Sequence, residues 1–148
     1  MRRLYVLYDR RCGLCSWARR WAQRQRAFLD LTFIPSGSEL ACRMFPGLTQ
    51  PGEPFELIAV NDEGGVYRDS HAWIMCLYAL EEYRELSFRL ARPILLPLAR
   101  QAFALVSKQR SRLSRWLNIV SDEEVADALS LAGPPACETV NATTPART

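Results

Sequence analysis

The chain has 148 residues, enough for a single domain with an ordinary hydrophobic core. Apolar residues make up 49% and charged residues 24%, which is typical of a globular protein, and no charge-free run approaches the roughly 20 apolar residues that cross a bilayer. The odd number of cysteines, five, argues against a secreted disulfide framework. The N-terminal sequence Met1-Arg2-Arg3-Leu4 is not followed by a long apolar run, which argues against a secretory signal. We therefore expect a cytoplasmic protein.

The net charge of +3 conceals blocks of opposite sign. Residues 1–26 carry +7, residues 27–85 carry −7, and residues 86–118 carry +7 with no acidic residue. We expect these blocks to pair with one another and to cover solvated faces; the alternative is a basic surface for an anionic partner or a membrane. The basic residues are not interleaved with aromatic residues and match no nucleic-acid motif, so no nucleic-acid partner is expected.

The first half of the chain predicts alternating strands and helices. The apolar, β-prone run Leu4–Tyr8 is typical of a buried central strand, and the spacing of apolar residues after it predicts a helix from Leu14 to about Arg26. A second strand is expected at Leu31–Ile34, parallel to the first. A short helix within Ser38–Phe45, capped by Ser36 or Ser38, follows it.

The second half predicts a hairpin and then helices. Strands at Phe55–Val60 and Val66–Arg68 flank a turn at Asn61–Gly65. Ser70 is expected to cap a helix that runs to about Tyr83. Further helices are expected within residues 86–118, broken near Pro93 and Pro97, and a capping box at Ser121 predicts a last helix to about Leu131.

The order β-α-β-α-β-β-α predicts a thioredoxin-like α/β fold, with a four-stranded mixed sheet flanked by helices. One domain is expected over residues 1–132, with a C-terminal helical extension at 86–132 and a disordered tail at 133–148. An apolar stripe in the extension is expected to pack on the domain core: Leu95, Leu98, Ala102 and Leu105.

Cys12 and Cys15 form a Cys-x-x-Cys pair where the first strand gives way to the first helix. Unpaired N–H groups and the helix dipole favour a thiolate at this position, and Arg10 and Arg11 add positive charge nearby. We therefore predict that Cys12 is an exposed, low-pKa thiol and that Cys15 is less exposed. Residues three apart on a helix are neighbours, so the two sulfurs lie within bridging reach.

The sequence allows more than one role for Asp9 and for the other cysteines. Asp9 either fixes the turn before the helix by accepting backbone N–H groups or takes a proton from Cys15 during exchange. Zinc binding by the Cys pair needs two more ligands, and the remaining candidates contain no second close pair: Cys42, Cys76, Cys137 and His71. We therefore predict no metal, and expect Cys42 and Cys76 to pack as small hydrophobic residues.

The motif Tyr8-Asp9-x-x-Cys12-x-x-Cys15 with its Arg-rich helix resembles the DCC family of thiol-disulfide oxidoreductases, a thioredoxin-like group. The segment Val66–Ala72 resembles the family's second signature, with His71 where an acid is expected. The segment Leu95–Trp116 resembles its C-terminal half, so the likeness covers about residues 4–117.

This resemblance implies that Cys12 and Cys15 exchange thiols and disulfides with a protein or small-thiol substrate, without a cofactor, and that an external reductant regenerates the dithiol. Pro54 directly precedes the predicted hairpin, where thioredoxin-like folds place a cis-proline that faces the Cys pair, so we predict that it contacts substrate. The alternative is a non-catalytic binding module whose basic surface at 86–118 recruits an acidic or membrane partner.

Overall fold

Four strands and six helices make up the part of the chain that the structure, a computed structural model, describes: residues 1–48, 56–117 and 119–132. The strands are β1 (Arg3–Tyr8), β2 (Asp30–Pro35), β3 (Ile58–Asn61) and β4 (Val66–Arg68). The helices are α1 (Gly13–Ala22), α2 (Glu39–Met44), α3 (Asp69–Ala79), α4 (Arg84–Leu90), α5 (Leu96–Trp116) and α6 (Asp122–Ala132). Pro54 and the predicted tail at 133–148 lie outside the described residues.

The strands form one mixed sheet in the order β2-β1-β3-β4. β1 pairs with β2 in parallel and with β3 in antiparallel, and β3 pairs with β4 in antiparallel. The connection from β1 through α1 to β2 is the crossover that a parallel pair requires. The predicted thioredoxin-like fold, a four-stranded mixed sheet with flanking helices, is confirmed.

β1 is the central strand and is buried on both faces of the sheet. Because side chains alternate along a strand, Val6 joins the core cluster that contains Ala72 of α3, while Leu7 joins the one that contains Ala41 of α2. This burial on both faces explains why the sequence of β1 is a continuous apolar run rather than an alternation of apolar and polar residues. It also brings the end of β1 to the start of α1, where the Cys pair lies.

The predicted helix caps are partly right. Ser38 caps α2, because its Oγ accepts the N–H of Ala41 at 3.2 Å. The capping box of α6 is confirmed: the N–H of Ser121 donates to Glu124 at 2.7 Å, and the N–H of Glu124 donates to Ser121 Oγ at 3.2 Å.

The predicted cap and end of α3 are wrong. The helix already begins at Asp69, whose N–H donates to the carbonyl of Leu57 at 2.9 Å, so Ser70 lies inside the helix and is buried. It ends at Ala79 rather than near Tyr83, since Leu80 turns to an extended conformation and pairs with Ala27. α1 likewise ends at Ala22, before the predicted Arg26.

The packing face of α5 differs from the prediction. α5 packs against α1 and α3, but it does so through Ala99, which is buried, and Phe103, whose ring stacks on Trp73 at 5.9 Å. Leu98 and Leu105 of the predicted stripe are 63% and 58% exposed. α5 carries apolar residues on two faces, and the face that contains Ala99 and Phe103 is the one that packs on the core.

Candidate active site

Cys12 caps the N-terminus of α1. Its backbone is extended, and its Sγ accepts the N–H of Cys15 at 3.4 Å. The N–H of Cys12 donates to the carbonyl of Asp9 at 3.2 Å, which closes the turn between β1 and the helix. The sulfur therefore lies where unpaired helix N–H groups favour negative charge, as the sequence predicts.

The two thiols have opposite pKa shifts. A hydrogen bond from the Cys15 thiol, the N–H of Cys15 and the charge of Arg110 lower the pKa of Cys12 to about 6, against the opposing effects of burial and of Asp9. The pKa of Cys15 is raised, first by its hydrogen bond to Cys12 and then by burial. These opposite shifts favour the thiolate at Cys12 and the protonated thiol at Cys15.

Cys12 is less accessible than predicted. It is only 7% exposed and Cys15 only 9%, so the prediction of an exposed Cys12 is wrong. Cys12 belongs to a buried cluster with Tyr8 and Cys15, and the chain at Ile119 lies against the start of α1 beside it. Gly13 makes this contact possible, because a Cβ there would lie 2.2 Å from the carbonyl oxygen of Ile119.

Ser114 of α5 stabilises the contact between Gly13 and Ile119 through two hydrogen bonds. Its Oγ accepts the N–H of Leu14 at 2.8 Å, which satisfies one of the unpaired donors at the start of α1. Its carbonyl accepts the N–H of Ile119 at 2.9 Å, which turns the chain toward α6. One residue thus holds both the helix start and the segment that covers it.

Asp122, the first residue of α6, is the centre of a second set of contacts to α1. Its carboxylate accepts the hydroxyl of Tyr8 at 2.9 Å and pairs with Arg19 and Arg20 at 3.1 and 3.0 Å. Its N–H donates to the buried Ser16 Oγ at 3.1 Å. Because the ion pairs are partly buried, they hold α6 against the helix that carries the cysteines.

Asp9 lies beside the pair and contacts two groups. Its Oδ1 accepts the N–H of Arg11 at 2.9 Å, and its Oδ2 lies 3.3 Å from Arg110 of α5. Arg110 exerts the main cationic effect on both cysteine pKa values. The side chains of Arg10 and Arg11 are exposed, and Arg11 pairs with Glu123 at 3.1 Å.

The other candidate residues lie away from the Cys pair or outside the described residues. Cys42 is exposed, so its predicted packing as a hydrophobic residue is wrong, whereas burial raises the pKa of Cys76 to about 12. His71 contacts Arg100 at 3.4 Å. Pro54 and Cys137 fall outside the described residues, among which no group of three or more His, Cys, Asp or Glu side chains could hold a metal.

A thioredoxin-like sheet with a Cys-x-x-Cys pair at the start of its first helix is typical of the thiol-disulfide oxidoreductase class. The model of the DCC1-like thiol-disulfide oxidoreductase family matches residues 6–116. The chain therefore belongs to this family, in agreement with the resemblance found in its sequence. A search of curated proteins found no match, and a search of solved structures found none either.

Three residues of the site were not found from the sequence: Arg110, Ser114 and Asp122. They are about 100 residues from the cysteines along the chain, so no local pattern connects them to the motif. The signal in the sequence was their spacing, because Arg110 and Ser114 are four residues apart and therefore lie on the same face of a helix. Polar residues at that spacing on a packed face suggest a polar partner.

Proposed function

We propose that this protein exchanges thiols and disulfides through Cys12 and Cys15. The observation that carries the proposal is the difference between the two thiols, with the pKa of Cys12 lowered to about 6 and that of Cys15 raised. A dithiol in which one sulfur is ionised at neutral pH and the other keeps its proton has the nucleophile and the resolving thiol that exchange requires.

In the proposed mechanism the Cys12 thiolate attacks one sulfur of a substrate disulfide and forms a mixed disulfide. The bond to Cys12 removes its negative charge, and with it the main cause of the raised pKa of Cys15. Cys15 then loses its proton and attacks the sulfur of Cys12, which releases the reduced substrate and leaves the Cys12–Cys15 disulfide. An external reductant returns two electrons to the pair.

Asp9 is proposed to act mainly on the turn. Its Oδ1 already accepts the N–H of Arg11, and its other oxygen faces Arg110, so the carboxylate fixes the backbone before Cys12. Its negative charge opposes ionisation of Cys12, while Arg110 favours it. The Asp9–Arg110 pair thereby tunes the thiolate, whereas Arg10 and Arg11 add a weaker, solvent-screened positive charge.

The experiment is a disulfide-reduction assay with dithiothreitol as the reductant and insulin or 2-hydroxyethyl disulfide as the substrate. The wild-type protein accelerates reduction, and Cys12→Ser abolishes the acceleration. Cys42→Ser is the matched control, since Cys42 is an exposed thiol outside the site. Equal rates for wild type and Cys12→Ser would contradict the proposal.

Pro54 and the cytoplasmic location remain part of the proposal. Pro54 precedes the hairpin, and we propose that it contacts the substrate beside Cys12. Pro54→Ala then raises KM for disulfide substrates more than it lowers kcat, whereas Pro51→Ala does not. A cytoplasm supplies the reducing environment that keeps the dithiol ready for exchange.

A second candidate role, docking on an anionic membrane surface, is favoured by the outer face of α5. Leu98, Leu105 and Trp116 lie along one line of the helix and are 63%, 58% and 81% exposed. Lys108 and Arg112 flank this line. No helix in the described part of the chain is long and apolar enough to cross a membrane, but exposed apolar residues beside cations are typical of helices that lie on anionic lipid.

Vesicle co-sedimentation tests this role. Phosphatidylcholine vesicles that contain phosphatidylserine should retain the wild-type protein, and the double variant Leu98→Gln/Leu105→Gln should not bind. Leu40→Gln is the matched control, because Leu40 is an exposed leucine on α2. Binding that is the same with and without phosphatidylserine, or that survives the double substitution, would exclude this surface.

A further inference from the structure

A cleft of about 510 Å³ opens beside Cys12. Cys12 and Gly13 of the α1 start line one side, and Arg110, Ser114 and Arg115 of α5 line the other. The segment before α6 closes one end of it. This volume lies in the range of about 300–1,000 Å³ that is common for small-molecule sites.

Access to Cys12 favours a small substrate. The thiol is only 7% exposed, and the chain at Ile119 is packed directly on Gly13. A disulfide on a folded protein has backbone on both sides of its sulfurs and would have to displace this segment. A free low-molecular-weight disulfide can instead enter the cleft as it stands.

The charges in the cleft favour an anion. The lining of the cleft has three arginines against two carboxylates: Arg11, Arg110 and Arg115 against Asp9 and Glu124. Asp9 is paired with Arg110 at 3.3 Å, and Glu124 accepts the N–H of Ser121 at 2.7 Å. The exposed guanidinium of Arg115 also lines the cleft and forms no ion pair or hydrogen bond with any described residue. Its planar fork of donors is suited to a carboxylate.

We propose that this cleft binds small disulfides that carry carboxylates, and that Arg115 is the residue that selects them. The inference rests on the dithiol exchange proposed above. The Cys12 thiolate attacks one sulfur of R–S–S–R, and the first thiolate, RS⁻, leaves and takes up a proton from water. Cys15 gives up its proton and attacks the Cys12 sulfur, which releases the second RS⁻. Two electrons pass to the substrate, and an external dithiol restores them.

The test compares three small disulfides of different charge in single-turnover reactions with the reduced, full-length protein. The probes are 3,3′-dithiodipropionate (anionic), 2-hydroxyethyl disulfide (neutral) and cystamine (cationic). Oxidation of the Cys12–Cys15 pair is followed by acid quenching and mass spectrometry. Each rate is divided by the rate of the same disulfide with 2-mercaptoethanol, which removes the intrinsic reactivity of the probe.

The normalised rate for the anionic disulfide should exceed that for the cationic one by about tenfold, as one charge-assisted contact provides. Arg115→Gln should remove most of this preference, and Arg115→Glu should reverse it. Arg24→Gln, which removes an exposed charge outside the cleft, should retain it.

Three outcomes would overturn the inference. The wild type could show equal normalised rates for the three probes, or the preference for the anionic disulfide could survive Arg115→Glu. The wild type could also react faster with the disulfides of insulin than with any small probe. These outcomes leave dithiol exchange itself intact. A wild-type protein whose Cys pair is oxidised by none of the disulfides would instead contradict the proposed function.

Discussion

At the scale of single residues, the site depends on how one hydrogen bond distributes charge between two sulfurs. The bond from Cys15 to Cys12 stabilises the Cys12 thiolate and at the same time holds the proton on Cys15. The helix start supplies N–H groups to Cys12 only, because Cys15 lies one turn further along. Neighbouring charges then adjust the balance, with Arg110 and Asp9 acting in opposite directions.

The first prediction concerns that balance. Arg110→Met should raise the pKa of Cys12, because it removes the cation that favours the thiolate, and Asp9→Asn should lower it, because it removes the opposing anion. The wild-type midpoint should lie near pH 6. The measurement is the rate of iodoacetamide alkylation of Cys12 across pH, resolved from the other cysteines by peptide mass spectrometry.

Arg24→Gln serves as the control for a change in net charge alone. Shifts of the same sign in Arg110→Met and Asp9→Asn, or a wild-type midpoint above the ordinary thiol value of 9.0, would contradict this explanation of the Cys12 pKa.

A second prediction links the same pKa to stability. The folded pKa of Cys12 is lowered to about 6 from an ordinary value of 9.0, so the ionised thiol stabilises the fold fully above pH 9 and loses that effect as the pH falls through 6. Between these values the free energy of unfolding of the reduced protein should rise by up to about 1.4 kcal/mol per pH unit relative to Cys12→Ser. Urea unfolding measures it. An equal slope in the oxidised protein, which has no Cys12 thiol to ionise, would contradict the attribution to Cys12.

The sequence could predict the position of Cys12 but not its surroundings. A strand run followed by helical spacing places Cys12 at the helix start, and that is a local pattern. The low exposure of Cys12 depends on its packing with Tyr8 and Cys15, and its electrostatic environment depends on Arg110 of α5, about 100 residues away, which local spacing does not report. Arg10 and Arg11 are close to Cys12 in sequence, yet Arg11 turns toward Glu123.

At the scale of elements, the start of α1 and the segment between α5 and α6 form one unit. Gly13 permits the close approach of Ile119, and Ser114 accepts the N–H of Leu14. The capping box at Ser121 then starts α6, which Asp122 anchors to α1. The C-terminal extension is therefore part of the wall of the site rather than a separate layer.

The third prediction tests this contact with Gly13→Ala. Alanine favours a helix over glycine by about 1 kcal/mol, but its Cβ would lie 2.2 Å from a backbone oxygen that no side-chain rotation can move away. The steric effect should win, lowering stability by about 1–3 kcal/mol. Cys12 should also be alkylated faster, because the covering segment is displaced. Thermal unfolding and the iodoacetamide rate measure the two effects.

Ser114→Ala keeps the backbone contact and removes only the acceptor of the Leu14 N–H, so it separates the steric effect from the loss of a hydrogen bond. An unchanged melting temperature together with an unchanged alkylation rate in Gly13→Ala would show that the segment does not cover the thiol.

Helical periodicity predicted where α5 begins but not which of its faces packs on the core. The breaks near Pro93 and Pro97 were predictable, since proline is tolerated in the first turn of a helix and not in its interior. The face of α5 that packs on the core was not predictable, because Leu98 and Leu105 repeat at helical spacing just as Ala99 and Phe103 do. Close packing against Trp73 selects the second pair, and no single-helix pattern contains that information.

At the scale of the whole molecule, the helical extension completes the fold. β1 and its neighbours could be predicted from their apolar runs and turn residues, and the order of elements was enough for the thioredoxin-like topology. The fourth prediction is that deletion of residues 86–132 leaves α1 and α3 without their cover and gives insoluble or molten protein. Near-UV circular dichroism and urea unfolding measure this. A fragment 1–85 that unfolds cooperatively would mean that the extension is separable.

The most direct test of dithiol exchange is the fate of each cysteine after one reaction with 2-hydroxyethyl disulfide. The wild type should lose two hydrogens, with a disulfide between Cys12 and Cys15 inside one peptide. Cys15→Ser should retain one mercaptoethanol adduct on Cys12, which dithiothreitol removes. Cys12→Ser should form an adduct at Cys15 much more slowly, because burial still raises the pKa of Cys15. An adduct on Cys15 in Cys12→Ser that forms as fast as the adduct on Cys12 in Cys15→Ser, or a wild type without the Cys12–Cys15 disulfide, would contradict the assignment of Cys12 as nucleophile and Cys15 as resolving thiol.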